Sequence, residues 1–195
     1  MKYCSVTCQQ RDAAHHNILC STFQNFQERP SANHFRSIYF PVDELHPRFI
    51  WLRMDGTRGS HYVDNADLSQ YVSGNPYGDI FTSSHYGITP EREYKTMIVV
   101  QHDQNVFGNG QPVNPCLFYL LGPEAHRWRG AYVGHGYKYT AMADSDDYDD
   151  TDAKESDDPL IAVDLDTTSL RPFIAYFLEL MRRERVARAF WAPAA

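Results

Sequence analysis

LIAVDLDTTSLRPFIAYFLELM, residues Leu160 to Met181, decides the fold. Leu160 to Leu165 is a short run rich in branched apolar side chains and reads as a strand. Thr167 or Thr168 can then cap a helix, and Pro172 is tolerated in its first turn. Leu170, Phe173, Ile174, Phe177 and Met181 fall at i, i+3, i+4, i+7 and i+11, which is one apolar face. The pattern predicts the longest helix of the chain, packed across a sheet. Arg182, Arg183, Arg185 and Arg188 crowd its end. Cations there interact favourably with the helix dipole, which accounts for them without nucleic acid.

Working upstream, most of the chain reads as strands. Ser37 to Phe40 and Phe49 to Leu52 are aromatic and β-branched runs joined through Pro41 to Pro47. Asp55-Gly56 favours a tight turn that ends the second run. Lys95 to Gln101, Cys116 to Leu121 and Trp128 to Tyr139 are further expected strands. Asp67 to Val72 suits a short helix, whereas Gly74, Pro76, Gly78 and Pro90 mark loops. The fold expected is α+β: a mixed or mainly antiparallel sheet, a long C-terminal helix, and a small helical metal segment in front. The boundaries are 1–22 for that segment, 23–35 for a linker and 36–190 for the domain.

Composition narrows the function classes. The chain has 195 residues, 43% hydrophobic and 14% aromatic, enough to build a core. Its net charge of −7 is concentrated in Asp144 to Asp158, where nine acidic residues and one lysine give −8 and leave +1 elsewhere. That stretch is expected to be a disordered, solvated insertion that can be removed. A calcium loop through Asp147, Asp149 and Asp158 lacks its glycine, since Asp152 stands at that position. A nearly neutral body does not carry the basic footprint of a nucleic-acid binder. No apolar run approaches the ~20 residues of a membrane span, and no signal-peptide core opens the chain. Cysteines with ligand spacing fit a reducing compartment, so a cytoplasmic or nuclear protein is expected.

Three of the four cysteines, Cys4, Cys8 and Cys20, lie within the first twenty residues, and His16 completes C-x3-C-x7-H-x3-C. Thiolate and imidazole are ligands that zinc prefers, and structural sites take four in a tetrahedron. Each of the pairs Cys4/Cys8 and His16/Cys20 is spaced to share one face of a helical turn. On one unbroken helix all four cannot meet. Cys8 and His16 would stand about 12 Å apart along the axis, whereas donor atoms around one zinc lie within roughly 4 Å of each other. Either Asp12 breaks the helix and caps a second one from Ala13 to Cys20, or the pairs serve two metals. Ordinary thiols beside a solvated His15-His16 pair are the plainer alternative.

Tyr3-Cys4-Ser5, Cys8-Gln9, Asp12, His16 and Cys20 together resemble the C-terminal half of the MYND-type zinc finger. That family carries eight ligands in two cross-braced sites. The resemblance implies that Cys4 and Cys8 bind one Zn2+ while His16 and Cys20 bind the other. It also implies that the remaining ligands belong to two upstream C-x2-C pairs, so this chain by itself should hold zinc weakly and below one equivalent. In the family, a glutamine matched by Gln9 and an aromatic after the aspartate form a peptide groove; Ala13 stands in the aromatic's place. The implied role is a protein-interaction module without catalytic activity, its partner a protein or peptide of the proline-rich kind, bound in part through Gln9. Pro47-Arg48-Phe49-Ile50-Trp51-Leu52 and His126 to Gly130 also resemble fungal proteins that carry a MYND finger before a second domain, a likeness that implies no known activity.

Catalytic motifs are scarce. G-x-S-x-G and H-E-x-x-H do not occur, and Gly108-x-Gly110 is followed by no lysine. The competing reading is an enzyme, hydrolase or methyltransferase-like, with its site near His102, Asp103 and His135. Its requirement is that those three side chains converge in one pocket.

Overall fold

The structure, a computed structural model, describes residues 6–57, 60–82, 96–105, 108, 110–139 and 160–191. The chain opens with helix α1, Val6–Phe23, and a 3-10 turn, Gln24–Phe26. Strands β1 (His34–Phe40), β2 (Arg48–Thr57) and β3 (Ser60–Val63) follow, then the short helix α2 (Asn65–Leu68). Next come β4 (Pro76–Thr82), β5 (Thr96–Asp103), α3 (Pro115–Leu121), β6 (Tyr132–Tyr139), β7 (Leu160–Val163) and α4 (Leu170–Trp191). The architecture is α+β. Among the described residues the seven strands form one curled sheet in the order β3-β2-β1-β6-β5-β4, with β7 also pairing β6, and every pairing is antiparallel.

Strand alternation sorts the apolar residues into two cores. On one face Ile38, Phe40, Phe49, Ile98, Val100 and Tyr132 meet the helices. On the other Phe35, Ile50, Leu52, Met97, Val99 and Val133 pack with Leu68 and Val72 from α2 and the turn after it. As its spacing predicts, α4 buries Leu170, Phe173, Ile174 and Phe177 against the first face. The contact is close because β6 offers glycine at the crossing point. A Cβ on Gly134 would stand 2.3 Å from the Phe173 ring.

Several expectations are corrected. Cys116 to Leu121 forms α3, not a strand. The Asn114 side chain accepts the Leu117 N–H as an N-cap, and Pro115 occupies the first turn, where its missing N–H is harmless. Asn114 also donates to the Phe40 and Gly130 carbonyls, which ties the cap to the sheet. Pro76 and Gly78 lie in β4, not in a loop; the proline opens a strand at the end of the sheet order, where a lost N–H is tolerated. Asp55-Gly56 does not end β2, which runs on to Thr57 and pairs through Asp55↔Tyr62 and Gly56↔His61. Ahead of α4 the carboxylate of Asp166 accepts the Thr168 N–H and hydroxyl. The acidic stretch Asp144 to Asp158 lies outside the described residues.

Candidate metal and partner-binding site

Helix α1 is continuous from Val6 to Phe23, so no break occurs at Asp12. Aspartate inside a helix is only modestly unfavourable, under about 1 kcal/mol relative to alanine. Tertiary packing outweighs that. Leu19 is fully buried in the helix-covered core, with Ile18 and Phe23 against the same cluster. Phe23 and Phe26 reach the Phe49 ring at 5.5 and 6.0 Å, and Phe26 reaches Trp51 at 5.7 Å.

The register of that burial decides how the ligand residues stand. His16 is half-buried beside the inward stripe, and Cys20, one turn further on, is an exposed free thiol. Their spacing sets them on one face as two neighbouring donors. Cys8 and Gln9 lie two turns earlier on the same helix, and Cys4 lies outside the described residues. At 1.5 Å per residue, eight residues carry Cys8 about 12 Å from His16. One zinc cannot collect Cys8, His16 and Cys20 together. His16 and Cys20, one turn apart, are the pair on α1 that could share a metal. Among the described residues no group of three or more potential ligands converges. The fourth cysteine belongs to the core: Cys116 is fully buried, and desolvation pushes its thiol pKa far up.

A polar clamp holds the segment after α1 against the body. The half-buried Arg36 donates to the Phe26 and Leu165 carbonyls, and its guanidinium lies 4.6 Å from the Phe23 ring centroid. Desolvation lowers its pKa while Asp164 opposes the shift. Asp164 in turn accepts the Arg36 N–H and pairs with Arg29 at 2.7 Å. These partners are 128 and 135 residues apart, so no local pattern announces them.

The second candidate group does not assemble. His102 shares its face of β5 with Val100, where its ring stands 5.7 Å from Tyr132. Its Nδ1 is 2.8 Å from the Asp103 backbone carbonyl oxygen, not the carboxylate. Asp103 faces the opposite side, where its carboxylate accepts the Asn105 N–H. His135 also points to that opposite core. It is 1% exposed, with Nε2 at 3.3 Å from Gln101 Nε2 and its ring edge-on to Tyr137. Desolvation lowers its pKa to about 3. The sheet therefore stands between His102 and His135. The Gly134-His135-Gly136 signal marks a close helix crossing on one face and a buried imidazole on the other.

No helix among the described residues is long and apolar enough to cross a membrane. No family model, curated protein or solved structure matches the chain.

Proposed function

We propose that this chain is a zinc-binding protein-interaction module, in which α1 is the C-terminal half of a MYND-type finger. The observation that carries it is the pairing of His16 and Cys20 one turn apart, with the Cys20 thiol exposed on a helix anchored by Leu19. Such a helix presents half a tetrahedron in fixed orientation and needs two more donors to complete it. Two protein ligands leave the rest of the sphere to water, which forfeits much of the free energy that folds a complete structural site. Gln9 and its neighbours on α1 then contribute to recognition of a proline-rich segment. Any zinc here organises a surface, and no reaction step is assigned to it.

Cobalt titration of the purified chain tests the reading, since Co2+ reports thiolate ligation by a charge-transfer band. Weak, saturable binding is expected, and Cys20→Ala and His16→Ala should each weaken it. Absence of a thiolate band at saturating cobalt sinks the metal reading. A proline-rich peptide that binds equally well with and without zinc, and is indifferent to Gln9→Ala, sinks the assignment of the partner surface to α1.

A further inference from the structure

Strand β7 is held differently on its two edges. Towards β6 it forms a main-chain ladder from Gly136↔Val163 to Tyr139↔Leu160. Towards β3 the sheet closes through side chains. The Leu160 N–H donates to Ser60 Oγ, and the Ala162 N–H donates to His61 Nδ1, both at 3.2 Å. Because Ala162 can only donate, Nδ1 must carry its lone pair, which leaves the ring proton on Nε2. The ring is fixed edge-on to Phe35 at 5.2 Å and lies over Gly56.

We propose that His61 is a pH-sensitive latch on this seam: neutral, it holds β7 against β3, and protonated, it releases that edge. An imidazolium donates from both nitrogens, so the Ala162 N–H then meets another donor. Histidine is the side chain whose ordinary titration falls between pH 5 and 8. The groups touching the ring through Phe35, Gly56 and Ala162 are uncharged. Among the described residues, most charged and titratable groups on the surrounding elements have partners of their own. On β2, Arg53 pairs with Asp55 at 3.3 Å and reaches Asp64, just past β3, at 3.5 Å. After β7, Asp164 pairs with Arg29, whose guanidinium covers the Phe35 ring; on β1, His34 bonds Ser31 and Arg36 bonds the Leu165 carbonyl. Tyr62 lies on β3 itself, and Tyr137 and Lys138 lie on β6, where the Tyr137 phenol donates to Met54 Sδ. The β6 ladder and the Leu165 N–H to Arg36 carbonyl bond persist on protonation, so the release is local.

Amide exchange at Ala162, compared at pH 7.5 and 5.0 after correction for intrinsic rates, tests the latch. Protection should fall about tenfold at the lower pH, the worth of roughly one hydrogen bond. His61→Gln keeps an acceptor that does not titrate and should show equal protection at both values. His61→Ala should show low protection at both. Unchanged protection in the natural protein, or an acid loss in His61→Gln equal to it, overturns the proposal. Ring 15N shifts of the unaltered protein give an independent readout: the Nε2–H tautomer is expected at pH 7.5, and the Nδ1–H tautomer would overturn the assignment.

Discussion

His135 sits in the apolar core opposite the helices, and burial keeps its ring neutral down to about pH 3. In the unfolded chain the same imidazole takes a proton near the ordinary histidine value of about 6.5. Between those two values the unfolded state binds more protons, so stability rises with pH, by at most ~1.4 kcal/mol per unit from this residue. Its full contribution stands above pH 6.5 and drains away as pH falls towards 3. Urea midpoints at pH 7 and 4.5 check this. The natural protein should lose more stability than His135→Gln over that interval, and equal losses would remove His135 as the cause. On the same strand, Gly134→Ala drives a methyl into the Phe173 ring, a backbone-to-ring conflict expected to cost about 1–3 kcal/mol. A double-mutant cycle with Phe173→Ala should recover part of that loss; strict additivity would show that the ring is not the obstacle. The two side chains explain why G-x-G reads ambiguously from sequence. One period-2 strand serves two cores, and only the partner of each face says which residue matters.

At the scale of elements, α3 shows how a legible signal loses to a louder one. Cys116 to Leu121 is apolar throughout, and a short apolar run does not distinguish strand from helix by periodicity. The deciding residues precede it: Asn114 as cap and Pro115 in the first turn. Asn114 also satisfies two buried carbonyls, so Asn114→Ala should cost more than an ordinary cap, about 3 kcal/mol against the usual ~1. A loss in chemical denaturation near 1 kcal/mol would mean that its sheet contacts carry little. The long helix α4 was legible because its spacing and length agree. Strands β1, β2, β5 and β6 were legible because aromatic and β-branched residues cluster in them. Strand β4 was not, since Pro76 and Gly78 punctuate it, and the pairing Gly78↔Gln101 that makes it a strand comes from a distant segment.

Across the whole molecule, the N-terminal helix is where sequence and structure part most instructively. His16 and Cys20 both lie on α1, where i, i+4 spacing puts them on neighbouring turns, because that geometry is local. The continuity of α1 through Asp12 was not legible, because it rests on Leu19, Phe23 and Phe26 docking onto Phe49 and Trp51 some thirty residues away. That docking means α1 and the sheet share one hydrophobic core, with Arg36 and Asp164 fastening the segment between them. Stability should therefore respond strongly at one and hardly at all at the other of two neighbouring positions on α1. Leu19→Ala empties a fully buried site and should cost about 3 kcal/mol, a fall in Tm of roughly 10 °C for a chain of this size. Cys20→Ala removes an exposed thiol and should stay within about 0.5 kcal/mol in the absence of metal. Thermal unfolding of both variants, with zinc chelated, separates the cases. If Leu19→Ala melts with the natural protein, α1 is a passive appendage and its ligands are not held in fixed orientation. If Cys20→Ala alone destabilises the metal-free chain, the thiol is packing, not waiting for a ligand.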